Sequence, residues 1–370
     1  MFPGRVQLQI RRLDLRLRHP WRIARTLGDQ HQREHRLQEN LVVELADAAG
    51  VHGLGETAPT RRYGETCESV EQVLRRVDLT RLSFGELASS LRYLEEVLPE
   101  QPAARCALDL ALHDGAARMA RQSVHDAFGL GFQEAAHRTS LSIGIDDPRT
   151  VQARAREAAS FPILKLKLGG TSDRENLAAL RAVAPDKPVR VDANEAWASK
   201  EEALANLEWL AQDAHLEFVE QPLAASSSPA DLAWLRARSP IPLMADESCV
   251  NARDIPACAE GFHAVNVKLV KTGGLNRAAE TLRAARQAGL KTMLGCMIES
   301  SIGISAAAHL AALTDYLDLD GSLLIANDPY QGVTAEDGVL SFASAIEPYG
   351  LRVRLRTGPA VVAADVPVIP

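Results

Sequence analysis

Residues 163–170 read Ile163-Leu164-Lys165-Leu166-Lys167-Leu168-Gly169-Gly170. Side chains alternate along a strand, so Lys165 and Lys167 share one face while Leu164, Leu166 and Leu168 share the other. An ammonium is costly to bury, and two side by side cost more unless anionic groups oppose them. Taken alone, the pattern fits an exposed edge strand with solvated lysines. The surrounding chain points elsewhere.

From Thr139 the sequence alternates strand and helix. Apolar strand candidates begin near Leu141, Ile163, Val189, Leu216, Ile241, Ala264, Thr292 and Tyr316, with amphipathic helical stretches over 174–183, 200–212 and 277–289. Eight strands spaced by about 20–30 residues are what a (β/α)8, TIM-like barrel requires. A doubly wound sheet is the competing α/β architecture, but no G-x-G-x-x-G follows the first strand. Residues 1–125 read as an α+β unit: strands over 6–17 and 41–45, a polar loop over 25–40, a turn over 50–55, then helices over 70–98 and 103–121. We therefore expect an α+β capping domain at 1–125, the barrel at 126–325, and a tail at 326–370 that packs back on the first unit.

Length and composition fit an ordinary globular protein: 370 residues, 46% hydrophobic and 24% charged. A net charge of -7 leaves no basic stripe for nucleic acid. The five cysteines (Cys67, Cys106, Cys249, Cys258, Cys296) are odd in number and lack a C-x-x-C, which fits a reducing compartment. With no apolar signal core and no run of membrane-spanning length, the expected location is cytoplasmic and no membrane partner is expected.

Catalytic residues of a barrel project from the C-terminal ends of its strands. The second strand ends in Lys165 and Lys167, the third in Asp192, the fourth in Glu220, the fifth in Asp246 and the sixth in Lys268. Three carboxylates converging from adjacent strands repel one another unless a cation lies between them. Oxygen-only ligands on rigid strands favour Mg²⁺, one per active site. Strands two and six of eight lie opposite each other, so Lys167 and Lys268 flank a carboxylate substrate from its two faces. That arrangement suits removal of an α-proton on one side and its return on the other. Lys165 is expected to depress the base's pKa by like-charge repulsion, or to hold the carboxylate.

The wording Lys165-x-Lys167, Asp192-Ala193-Asn194, Glu220-Gln221-Pro222, Ala245-Asp246-Glu247-Ser248 and Asn266-Val267-Lys268-x-x-Lys271-Thr272-Gly273-Gly274 resembles the muconate-lactonizing branch of the enolase superfamily over nearly the whole chain. The resemblance implies a modified (β/α)7β barrel, Mg²⁺ at Asp192, Glu220 and Asp246, and Lys167 and Lys268 as the acid/base pair. Within that branch, Asp318-x-Asp320 resembles the D-x-D of dipeptide epimerases, which holds the α-ammonium of a dipeptide. Ser142 and Cys296 match their substrate-lining positions, with Ser142 where threonine is more usual.

Ile23-Ala24-Arg25 and Arg62-Tyr63-Gly64-Glu65 resemble the capping loops of L-Ala-D/L-Glu epimerases of peptidoglycan recycling, which makes Arg25 the candidate partner of a glutamate side chain. The stretch between Arg25 and Leu41 is several residues longer than in that family, leaving the choice of dipeptide open. His263, Lys271, Glu299 and Cys249 are read as strand or loop positions without a role, although Lys271 belongs to the family wording.

Epimerisation of a small dipeptide is thus the expected reaction; a homo-oligomer is compatible with it. N-succinylamino acid racemase, o-succinylbenzoate synthase and muconate cycloisomerase are the alternatives within the fold. Their substrates lack a free α-ammonium and give no reason for Asp318 and Asp320. A sugar-acid dehydratase would be expected to use a histidine base where Lys268 stands. A non-catalytic barrel would have no need of both lysines and all three acids.

Overall fold

The computed structural model describes residues 6–27 and 36–357. The expected long loop after Arg25 therefore lies largely outside the described residues. The chain begins with a three-stranded antiparallel sheet, β1 (Gln7–Arg16), β2 (Leu37–Ala46) and β3 (His52–Thr57), ordered β1-β2-β3. The second strand starts four residues before the expected Leu41, because its polar first residues pair with β1 as far as Arg16↔Leu37. Backbone pairing there extends past the apolar alternation that marks the strand in sequence.

Helices α1 (Cys67–Leu74), α2 (Leu87–Val97) and α3 (Pro102–Met119) cover this sheet. The single helix expected over 70–98 is in fact two. The first run stops at Leu74, and Asp78 then opens a 3-10 turn over Leu79–Arg81: its side chain accepts from Thr80 N–H, while its own N–H donates to Tyr93 Oη at 2.9 Å. Asp and Asn side chains compete with helical hydrogen bonding in this way. Helix α3 is buried nearly all round because it lies between the sheet and the barrel. Arg105 donates to the carbonyls of Thr272 and Gly273, and Asp109 accepts from Leu275 N–H, so α3 is fastened to the turn after the sixth barrel strand.

A short helix α4 (Val124–Ala127) leads into the barrel strands β4 (Leu141–Ile143), β5 (Leu164–Lys167), β6 (Val189–Asp192), β7 (Leu216–Glu220), β8 (Leu243–Ala245), β9 (Ala264–Lys268), β10 (Lys291–Gly295) and β11 (Tyr316–Asp318). They form one parallel eight-stranded sheet in sequential order. A parallel bridge between Thr139 and Leu317 joins its two ends. The outer ring contains α5 (Pro148–Glu157), α6 (Asp173–Arg181), α7 (Lys200–Leu210), α8 (Pro229–Arg238), α9 (Ile255–Gly261), α10 (Leu269–Thr272), α11 (Leu275–Gln287) and α12 (Ser301–Ala308).

Outward strand residues such as Leu164, Leu166, Val191, Val219 and Val267 join the helices in the main core. Inside, Phe218, Met244, Ala264 and Met293 fill one end, and Arg190 lies over the rings of Phe218 and Tyr316. This end is packed; the chemistry-bearing side chains sit at the other.

The tail returns to the first sheet. Leu17 bridges Ile325, Ala326 N–H donates to Arg16 O, and β12 (Tyr330–Gln331) pairs with β15 (Arg354–Leu355) around the hairpin β13 (Thr334–Glu336) and β14 (Val339–Ser341).

Candidate active site

Lys165 and Lys167 are not on an exposed edge. They are 1% and 7% exposed, inside the barrel, because β5 has a paired neighbour on each side. Burial of two ammoniums is tolerated here by carboxylates from three other strands. Lys167 Nζ lies 2.5 Å from Asp192 Oδ2. Lys165 Nζ lies 2.7 Å from Glu220 Oε2, 2.7 Å from Asp318 Oδ2 and 3.3 Å from Asp192 Oδ2. Burial alone would lower the Lys165 pKa, but Asp318, Glu220 and Asp192 overcome it and hold the ammonium well above its usual range. Lys165 is thus a fixed positive charge whose field is already balanced.

Across the barrel, four strands away, Lys268 Nζ lies 2.9 Å from Asp246 Oδ2. Burial again opposes its charge, and Asp246 and Glu220 raise its pKa instead. The sheet therefore carries Lys167 and Lys268 on opposite walls, with the acids of β6, β7 and the residue following β8 on the arc between.

Those acids fit a cation. Oxygen atoms of Asp192, Glu220 and Asp246 lie within 4.8 Å of one another, and all three residues are buried. Glu220 Oε2 sits close to Lys165 Nζ but without a hydrogen bond of good geometry. Burial, then the neighbouring charge of Asp192, pushes the Glu220 carboxyl up to about 7, with Asp246 adding to the effect. Convergent, under-compensated hard oxygens of this kind match a Mg²⁺ donor set.

The loops at this end brace the acids. Asn266 Nδ2 donates to Glu220 Oε1 at 2.8 Å, and Gln221 Oε1 accepts from the N–H groups of Asp246 and Ser248. Asn194 donates its N–H to Asp192 Oδ1 at 2.9 Å. Lys271, read from sequence as a loop position, is fully enclosed. Its Nζ donates to Asp246 Oδ1 at 2.6 Å and to the carbonyls of Asp246, Cys249 and Asn266. It orients Asp246. The available signal was its place three residues after Lys268, where the short helix α10 turns it inward.

Asp318 and Asp320 converge beside Lys165, as their spacing suggests. Asp318 Oδ1 accepts from Ser140 Oγ at 2.7 Å, and Asp320 Oδ2 accepts from Ser142 N–H at 2.6 Å. Burial raises the Asp318 pKa, but Lys165 outweighs it and brings the carboxyl down to about 2. At Asp320 the balance reverses: burial, then Asp318, outweighs Ser142 and Lys165 and pushes the carboxyl up to about 6. Cys296 Sγ donates to Asp318 O at 3.3 Å, and burial holds its thiol well above the ordinary range. Ser142, Cys296, Asp318 and Asp320 are therefore brought together.

Arg25 reaches the same mouth from the first unit. A Cβ on Gly169 would lie 2.6 Å from Ala24 Cβ and 2.5 Å from Ala196 Cβ, so only glycine lets the 3-10 turn Ala24–Thr26 sit on the end of β5. At φ +107° this glycine also adopts a conformation that other residues avoid. Ile145 N–H donates to Arg22 O at 2.9 Å, fixing the same segment over β4. From there the Arg25 guanidinium pairs with Glu195 and Glu247.

Residues 149–352 match the family model described as enolase C-terminal domain-like. The chain is 53% identical to an L-Ala-D/L-amino acid epimerase of Pedosphaera parvula, over 93% of this chain and 98% of that protein. It is 35% identical to an L-Ala-D/L-Glu epimerase of Bacteroides thetaiotaomicron, over 91% of this chain and 86% of that one. Among solved structures it resembles a dipeptide epimerase of Methylococcus capsulatus complexed with Mg and the dipeptide L-Arg-D-Lys. That match has a TM-score of 0.82 and 36% identity, and covers 94% of this chain and 98% of the other.

Proposed function

We propose, from the premise that this chain belongs to the enolase C-terminal domain-like family, that it epimerises a dipeptide at the α-carbon of its C-terminal residue. The observation that carries this is the placement of Lys167 and Lys268 on opposite barrel walls with three buried carboxylates between them. Asp192, Glu220 and Asp246 would hold one Mg²⁺, which supplies the positive charge that makes a proton beside a carboxylate removable.

Lys167 takes or returns the α-proton on one face, and Lys268 does so on the other. Which lysine acts as base depends on the configuration of the incoming residue, since the enolate formed in the substrate is planar at the α-carbon. Lys165 holds the carboxylate end, and its balanced charge keeps it protonated through the cycle. Asp318 and Asp320 receive the α-ammonium of the first residue, with Ser142 and Cys296 lining that end. Arg25 sits over the mouth from the capping unit. We assign residues 1–125 and 326–370 to that unit and 126–325 to the barrel.

L-Ala-L-Glu is the first substrate to test, and a part in recycling peptidoglycan peptides in the cytoplasm follows from that choice. The five cysteines are free, and among the described residues no helix is long and apolar enough to cross a membrane. Dipeptide epimerisation with a different side-chain preference fits the same geometry. The racemase, synthase and cycloisomerase readings leave Asp318 and Asp320 without a ligand. Incubating L-Ala-L-Glu and a dipeptide library with enzyme and Mg²⁺ in D₂O, with the α-proton followed by NMR, tests the proposal. Exchange in at least one dipeptide supports it; none in any member would sink it.

A further inference from the structure

The guanidinium of Arg25 is held by two carboxylates of the barrel. Its Nη1 is 3.2 Å from Glu195 Oε2 and also pairs with Glu247 Oε1. Glu195 receives a second arginine from the capping unit: Arg62 grips it through Nε at 2.9 Å and Nη2 at 2.7 Å. Ala225 N–H completes the set at 2.8 Å from Glu195 Oε1. The Glu195 side chain is 10% exposed and that of Glu247 1%, so neither arginine's partner is a loosely solvated group. Two arginines meet two glutamates, and the cluster carries no net charge.

The backbone is bent to make this contact. Asn194 and Glu195 adopt φ of +45° and +68°, a left-handed region that residues with a Cβ other than Asn and Asp rarely adopt. The turn is held by Glu195 N–H donating to Gln221 O at 2.9 Å. Such strain persists where the surroundings over-determine it. Here it aims Glu195 at both capping arginines.

Resting on the dipeptide-epimerase reading, we propose that the C-terminal side-chain subsite is charge-neutral and takes uncharged side chains about as readily as glutamate. Arg25 serves as a clasp between the capping loop and the barrel rather than as a receptor for a substrate carboxylate. A site built around a free arginine would reject the amide or thioether analogue by orders of magnitude, because the buried charge would be left unpaired. In this site Glu195 and Glu247 already pair with that charge, so the analogue leaves nothing exposed. Specificity is a difference of affinities, and this cluster removes the term that would generate it.

The test measures kcat/KM for L-Ala-L-Glu, L-Ala-L-Gln and L-Ala-L-Met with Mg²⁺. In the unmodified protein the three values are expected to fall within about tenfold of one another. Arg25→Gln should lower all three together, moving the Glu-to-Gln ratio by less than about threefold. Glu195→Gln, which returns part of the Arg25 charge to the mouth, should raise that ratio by at least about fivefold. Retained thermal unfolding cooperativity shows that each variant folds. A preference for glutamate above about 100-fold that collapses in Arg25→Gln would overturn the inference and leave the epimerase reading intact. Exchange with no dipeptide at all would overturn both.

Discussion

Lys165 Nζ lies 2.7 Å from Asp318 Oδ2, so the second barrel strand is tied to the eighth through an ion pair buried at the seam. The pair fixes Asp318 as an ionised group at the end of the site assigned to the α-ammonium. Asp318→Asn should therefore raise KM for a dipeptide by about 100-fold, with a smaller effect on kcat. N-acetylating the dipeptide should cost the unmodified enzyme a similar factor in kcat/KM. If the acetylated dipeptide is turned over as well as the free one, the assignment of Asp318 and Asp320 is wrong.

Metal dependence follows from the mutual repulsion of Asp192, Glu220 and Asp246. Chelation should abolish exchange, and added Mg²⁺ should restore it. Because the ion binds the folded chain alone, Mg²⁺ at 100 times its Kd should stabilise the protein by about 2.7 kcal/mol. Differential scanning calorimetry with and without Mg²⁺ measures this, and Asp246→Asn should shrink the shift.

Lys271 gives a prediction about folding. Its Nζ is surrounded by Asp246 and three carbonyls. Lys271→Met removes one partner of a buried pair and should cost about 3–5 kcal/mol, read as a lower denaturant midpoint. The same variant should bind Mg²⁺ more weakly, since Asp246 loses one of the groups that orients it.

Away from the site, His125 Nδ1 and His309 Nδ1 share a 2.8 Å contact in a buried cluster with Phe342. Burial, with the neighbouring His125 adding to it, brings His309 down to about 3. An unfolded histidine titrates near about 6.5, so between about pH 6.5 and 3 the unfolded chain binds a proton that the folded chain does not. Stability should fall as pH drops through that window, by up to about 1.4 kcal/mol per pH unit from this group. His309→Asn should flatten the slope of unfolding free energy against pH; an unchanged slope would show that His309 is not the group responsible.

Much of this was legible in the sequence, and particular residues show why. Barrel strands announce themselves as short apolar runs, most of them closed by a charged residue, and seven of the eight begin within a residue of the expected position, the fifth two residues after Ile241. The acids and lysines stood out because they recur at one point of successive units. What the sequence hid were contacts between distant segments. Lys271 looked like a loop lysine because three of its partners are carbonyls, which carry no side-chain signature, and the fourth, Asp246, lies 25 residues away. Arg25 looked free to meet a substrate because neither Glu195 nor Glu247 lies near it in the chain. The break at Asp78 was hidden by helical spacing that continues on both sides of it.

Lys167 and Lys268 are proposed to act on opposite faces of one α-carbon. The most direct test follows α-proton exchange in D₂O for the two C-terminal epimers of an accepted dipeptide, using Lys167→Ala and Lys268→Ala. Each variant should lose epimerisation by at least about 1,000-fold. Any exchange that survives should be confined to one epimer, and to opposite epimers in the two variants. Epimerisation retained in both variants would contradict the two-base mechanism outright.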